Sequence, residues 1–414
     1  MAADVDGIIS QVYRAEWGRI LATLIRVTGD FGLAEEVTQE AFAAATAGWR
    51  EGGVPTEPRA WLIQTAKNLA IDRLRRARVL GKKLETYAAD LEVEASPTQG
   101  QAMEIPDDRL RLVFTCCHPS LALEAQVALT LRTLVGLDTE AIARAFITPV
   151  TTMAQRIVRA KHKIAEAKIP YLVPEASEMP ERLHAVTTVL YLVFNEGYAA
   201  TKGASMLRTD LSAEAIRLTR TVRALLAPEH AKEVTALLAL MLLHDARREA
   251  RLDHKGDLVV LDEQDRAQWD HAQIEEALPL ADEAMRDDDP SSLAIQAAIA
   301  AVHARARTKE DTDWRAILGL YQRLEARQPS PVLALNRAVA VAMLEGPEAA
   351  LAIVDGLVAS GELEGYHLLH AARADFARRL GRTEEARVSY RKALDLVGND
   401  SERRFLERRL KEVS

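Results

Sequence analysis

Apolar residues recur at helical spacing almost from the start of this chain. Ile8, Val12, Ala15 and Ile20 fall on one face, and Leu33, Val37, Ala41 and Ala44 fall on another, the rhythm of amphipathic helices. "WREGGVPTEPRAW" breaks the rhythm with paired glycines and two prolines, which end helices and favour turns. A third helix is predicted to start near Pro58, because proline is tolerated in a first turn. Along it Leu62, Ala66, Leu69 and Arg73 share one side, while Gln64, Lys67, Asn68 and Arg75 lie away from it. These helices predict a compact domain over residues 1–80.

Residues 81–106 hold no sustained period and read as a linker. Helical patterning returns over 107–170, is broken by the three prolines of "IPYLVPEASEMPERL", and resumes as a helical extension over 171–300. Over 301–414 the chain repeats itself. Tyr321 and Tyr390 stand 69 residues apart and Gly346 and Gly381 stand 35 apart, close to multiples of the tetratricopeptide period of about 34 residues. "RLGRTEEARVSYRKALDL" resembles the second half of such a unit. The expected fold is all-α: two small helical domains, the second with a helix-turn-helix, followed by an α-helical repeat-like extension.

Composition agrees with helices. The chain of 414 residues is rich in Ala, Leu, Arg and Glu, and only 5% of its residues are aromatic. It carries a net charge of −8, distributed in blocks: about +6 over Lys67–Lys83, about −7 over Glu85–Asp108 and about +5 over Arg144–Lys168. Two basic islands thus flank an acidic strip. The two cysteines, Cys116 and Cys117, are adjacent, a poor geometry for a structural disulfide. With no apolar run of membrane-spanning length and no basic leader, the expectation is a soluble, cytoplasmic protein without membrane association.

The second basic island contains the clearest candidate chemistry. In "GLDTEAIARAFITPVTTMAQRIVRAKHKI", Asp138 or Thr139 can cap a short helix and Pro149 is expected to end it. The following helix has an apolar stripe of Met153, Ile157, Ala160 and Ile164. Thr151, Thr152, Gln155, Arg156 and Arg159 are left outward near its start, where a recognition helix meets base edges, and Lys163 extends the charge toward the backbone. The competing reading is a helical hairpin with a solvated basic face. In the first island Asn68, Arg75 and Arg76 lie near Trp49 and Trp61, which read as core rather than as base-stacking rings.

Other groups carry less. Cys116, Cys117 and His118 lack a second pair at zinc spacing and read as core. Asn195 and Glu196 inside an apolar helix read as a structural hydrogen bond; Glu196, or His244 with Asp245, would be the groups of a helical enzyme. No phosphate loop, nucleophile elbow or metalloprotease motif occurs, and no cofactor or metal is expected.

The ordered set "DFGLAEEVTQEAF", "PRAWLIQTAKNLAIDRLRR", linker and "LALEAQVALTLRTLVGLDTEAIARAF…VTTMAQRIVRAKHKI" resembles bacterial sigma factors of the extracytoplasmic-function type, over about the first 170 residues. The resemblance implies partners, core RNA polymerase and promoter DNA, and no enzymatic activity. It implies that residues 1–80 bind polymerase and melt the minus-ten element, Glu36, Gln39 and Glu40 matching the polymerase-contacting helix and Asn68, Arg75 and Arg76 the promoter-facing one. It implies that residues 107–170 read the minus-thirty-five element through Thr151, Thr152, Gln155, Arg156 and Arg159. Ile147 departs from the family's turn glycine. The acidic linker 81–106 matches the segment that runs through the polymerase cleft. "TCCHPSL" and "YLVFNEGYAAT" with the repeats look like a subgroup whose helical extension influences sigma activity, and a regulatory protein or ligand is expected on the repeats. The rival is a helix-turn-helix regulator with a repeat-based sensor that acts without polymerase.

Overall fold

The computed structural model describes residues 5–80, 107–146, 148–198, 206–253, 257–398 and 400–413. Eighteen α-helices and no strand occur among them; Leu252 and Leu258 form one isolated bridge. The acidic strip 81–106 and Ile147 lie outside the described residues. The chain divides into two compact units, Met1–Val193 and Phe194–Ser414.

In the first unit α1 (Val5–Thr28), α2 (Phe31–Gly52) and α3 (Pro58–Leu80) pack on one another. Asp30 caps α2, its Oδ1 accepting the Leu33 N–H at 2.8 Å, which satisfies one of the free donors at a helix start. The core gathers Trp17, Ile20 and Leu24 from α1, Val37, Ala41 and Trp49 from α2, and Leu62, Ala66 and Ala70 from α3. The expected faces are offset in places. Ala15 and Ala44 are exposed, and Ala70 rather than Leu69 is fully buried. Helix α1 also packs against residues 107–135, so its C-terminal half is buried on two sides and Leu21, Ala22 and Ile25 join the core.

Helix α4 (Asp107–Cys116) and α5 (Leu123–Thr130) lead into a π-helical turn, Leu131–Val135. Gly136 closes that turn at φ +82°, its N–H bonded to the Leu131 carbonyl. A Cβ at Gly136 would stand 2.8 Å from Cδ1 of Trp17, and one at Gly18 2.7 Å from the Leu134 carbonyl oxygen. Only glycine permits both the conformation and the approach. Helices α6 (Thr139–Ala145), α7 (Val150–Glu166) and α8 (Met179–Tyr198) follow. Residues 107–170 therefore share one compact unit with residues 1–80, and the unit boundary falls inside α8.

The second unit runs from α9 (Met206–Leu225) and α10 (Lys232–Asp245) through α11 (His271–Ala284), α12 (Ser292–Arg305), α13 (Trp314–Arg327), α14 (Pro331–Leu344), α15 (Pro347–Ser360), α16 (His367–Arg379), α17 (Thr383–Leu396) and α18 (Asp400–Glu412). Consecutive helices pack together from α11 onward. Gly346 and Gly381 stand at positive φ before α15 and α17, so the 35-residue spacing is a spacing of equivalent hairpin turns. Ala386 and Ala393 are fully buried beside Tyr390. Residue 300 lies inside α12, whose Ile295 and Ile299 share a core with Ile317 and Leu324. The extension thus has no break there, because one apolar cluster spans the expected boundary.

Candidate nucleic-acid interface

Asp138 caps α6 by accepting the Ala141 N–H. That helix ends at Ala145, ahead of Pro149, which instead occupies the N-cap of α7 in extended conformation. A proline serves either place, because it cannot continue a helix but presets the entry to one. The Thr148 N–H reaches back to the Ala143 carbonyl at 2.9 Å and holds the turn. Along α7, Met153, Ile157, Ala160 and Ile164 are buried. Thr151, Thr152, Gln155, Arg159 and Lys163 are exposed and Arg156 is half-buried. None of Arg156, Arg159 and Lys163 has a carboxylate partner among the described residues, so this face is free to meet anions.

On α3, Asn68, Arg75 and Arg76 are exposed; Asn68 accepts a hydrogen bond from Gln64 Nε2 at 3.0 Å. Arg73 has a different task. It pairs with Glu36 and with Glu40 Oε1 at 2.5 Å, tying α3 to α2. Gln39 is exposed and its Nε2 reaches Glu35 Oε1 at 3.4 Å. Trp49 is buried and meets Trp61 edge-on at 5.5 Å, a core arrangement. Glu36, Gln39 and Glu40 thus lie on one surface of α2, two of them already engaged by Arg73.

Glu35 is the residue that sequence reasoning missed. It is 9% exposed, accepts from Arg132 Nε at 2.7 Å, and is bonded to Lys161 on α7. Burial pushes its carboxyl upward, but Lys161 and Arg132 outweigh that and hold it below the ordinary Glu value. Further ties join the same parts of the unit. Arg26 pairs with Asp108 at 3.0 Å, the Tyr13 hydroxyl donates to Gly136, and the Tyr171 hydroxyl donates to Ala22 and Asp108 carbonyls. A signal existed for Glu35: it sits seven residues before Phe42 and fourteen before Trp49, an acid on the buried stripe of α2.

Cys116 and Cys117 are fully buried and lie near Thr133 and Thr130 hydroxyls. Burial raises both thiols, Cys117 to about 12. His244, in the second unit, is pushed down to about 3 by burial and by Arg247, Arg251 and His303, while Asp245 pairs with Arg248. His244 therefore stays neutral near neutral pH. Among the described residues no cluster of His, Cys, Asp or Glu could hold a metal. No helix among them is long and apolar enough to cross a membrane.

A capped helix pair with an unpaired basic face follows a three-helix domain that carries a second basic helix, an all-helical unit with two surfaces suited to anions. Comparison with known proteins identifies the family. Residues 12–79 match Sigma-70 region 2 and residues 182–285 match a family of unknown function (DUF6596). An uncharacterized protein of Rhizobium meliloti is 45% identical over 94% of this chain and 92% of its own length. The RNA polymerase sigma-H factor of Pseudomonas aeruginosa is 30% identical over 37% of this chain and 82% of its own length. The probable ECF RNA polymerase sigma factor SigI of Mycobacterium tuberculosis is 28% identical over 44% of this chain and 61% of its own length. No solved structure matches. The chain belongs to the RNA polymerase sigma-factor family, with Sigma-70 region 2 at its N-terminal end and a long helical extension beyond the part it shares with those sigma factors.

Proposed function

We propose that this chain is an extracytoplasmic-function-type sigma factor that binds core RNA polymerase in the cytoplasm and directs promoter-specific initiation, its helical extension regulating that activity. Residues 1–80 engage polymerase through Glu36, Gln39 and Glu40 and open the minus-ten element through Asn68, Arg75 and Arg76. Residues 107–170 set α7 into the major groove of the minus-thirty-five element. There Thr151, Thr152 and Gln155 meet base edges, and Arg156, Arg159 and Lys163 meet bases or phosphates. Polymerase performs the chemistry. The chain supplies promoter choice and strand opening, with an affinity that falls as salt rises.

The observation that carries this reading is the two-faced α7, apolar on one side and unpaired polar and basic on the other, following a Sigma-70 region 2. Run-off transcription with core polymerase on a promoter library tests it. A sigma factor creates start sites that core enzyme alone lacks. Duplex binding without new start sites would instead identify a polymerase-independent regulator. Deleting residues after Tyr198, where α8 ends, should change promoter-dependent transcription; unchanged output would remove the regulatory role from the extension.

A further inference from the structure

The second unit contains a cavity of about 840 Å³, bounded by α14, α16 and α18 and by the segment from Leu258 to Glu263. Its size is that of small-molecule sites, which combine an apolar lining with a few convergent polar groups. Val339, Met343 and Leu368 line it and are 39%, 40% and 42% exposed. Large apolar side chains are therefore left uncovered in a concavity rather than scattered on a convex surface.

The charges around this floor sort into paired and unpaired. Arg378 is held by Asp375 at 2.6 Å, and Arg409 by Glu263 and by Glu412 at 3.1 Å. His367 Nε2 stands 3.3 Å from Glu402, without hydrogen-bond geometry, and Lys309 lies 3.8 Å from Glu310. Asp262 and Arg379 remain. Arg379 makes one bond, to the Ala342 carbonyl at 3.4 Å, and among the described residues neither side chain has an ion-pair partner. Asp262 is open to solvent yet walled by protein. The protein walls crowd out part of its hydration and raise its carboxyl above the ordinary Asp value against the pull of Arg266, Lys309 and Arg379. Asn336, exposed on α14, adds an amide to the lining.

An apolar floor with one unmatched acid and one unmatched base complements a ligand that is apolar in the middle and carries both charges. We propose that this cavity binds a short apolar peptide with free ends: its ammonium on Asp262, its carboxylate on Arg379 and its side chains on Val339, Met343 and Leu368. A drug-sized ligand of this class is a peptide of about three residues. The site does not depend on the transcriptional reading, because its occupancy is measured without polymerase or DNA.

Isothermal titration of the full-length protein with Leu-Leu-Leu, its N-acetylated form and its C-terminal amide decides the matter. The free peptide should bind saturably at one site. Each blocked peptide should bind about tenfold weaker or worse, since each forfeits a charge-assisted contact. Arg379→Gln should weaken the free peptide by the same factor while leaving the amide unaffected, and Asp262→Asn should do the converse with the acetylated form. Met343→Trp, which fills the floor, should abolish binding while circular dichroism shows the helices intact. The proposal is overturned by an absence of saturable binding at millimolar peptide, by equal affinity for free and blocked peptides, or by undiminished binding to folded Met343→Trp. Should the variants unfold, the blocked peptides on the unaltered protein decide alone.

Discussion

Replacing Glu35 with Gln preserves the shape of the side chain and removes its charge. Arg132 and Lys161, whose side chains are 16% and 21% exposed, then face each other across a neutral amide. Removing one partner of a fully buried ion pair costs about 3–5 kcal/mol. Both cations here keep some access to water and Arg132 retains a bond to the Leu137 carbonyl at 3.0 Å, so a loss of about 2–3 kcal/mol is expected. At about 2–4 °C per kcal/mol for a cooperative unit of this size, the unit Met1–Val193 should melt about 4–12 °C lower. The pH dependence adds a check. The folded carboxyl titrates below the ordinary value of 4.5, so its stabilisation is complete above that value and disappears as pH falls through the lower, folded one. In scanning calorimetry, the gap between unaltered protein and Glu35→Gln should be constant from pH 7 to 5 and close in stronger acid. A shift under about 1 °C at pH 7, or a gap that never narrows below pH 4.5, would refute the assignment of a stabilising charge cluster.

Three further outcomes follow from single positions. Gly136→Ala combines a left-handed backbone with a collision on Trp17 and should cost about 2–5 kcal/mol in chemical denaturation, whereas Gly361→Ala, also left-handed but with open space around it, should cost about 1–2 kcal/mol; similar losses would deny the Trp17 contact. Ile157→Ala should destabilise by about 2–4 kcal/mol, while Arg159→Ala should leave the melting temperature unchanged and, as a phosphate contact, reduce the slope of log affinity against log salt by about 0.9, measured by fluorescence anisotropy on promoter duplexes. Iodoacetamide should leave Cys116 and Cys117 unlabelled until the protein unfolds, since both are buried with raised thiols; rapid labelling of native protein would contradict their core placement.

Legibility in the sequence followed how many sides of a helix are covered. Helix α7 buries one face, and its stripe of Met153, Ile157, Ala160 and Ile164 follows from spacing alone. Helix α1 is covered on two sides, so Ala15 turns outward while adjacent residues such as Leu21 and Ala22 are both buried, a pattern no single periodicity predicts. Glu35 was hidden for another reason. Its partners lie 97 and 126 residues away, and an acid on a helix gives no local sign of a distant cation. Asp262 and Arg379 are likewise 117 positions apart in the chain, joined only by the folding of the second unit.

The position of Lys161 links packing to DNA reading. On the proposed function, residues 1–80 and 107–170 contact elements about 25 base pairs apart, about 85 Å of duplex at 3.4 Å per base pair. A compact unit of 193 residues has a radius of gyration near 16 Å and thus a diameter of about 40 Å. Closed, it cannot reach both elements. On that reading, initiation requires the ties between the two parts to break: Glu35 to Arg132 and Lys161, Arg26 to Asp108, and Tyr13 and Trp17 to Gly136. The same opening would free Lys161 to add its charge to that of Arg156, Arg159 and Lys163 on the same helix. Glu35→Gln should therefore move two readouts in opposite directions, lowering the melting temperature while raising run-off transcription at limiting polymerase. A variant that lost both would show that the packed form is itself the active one.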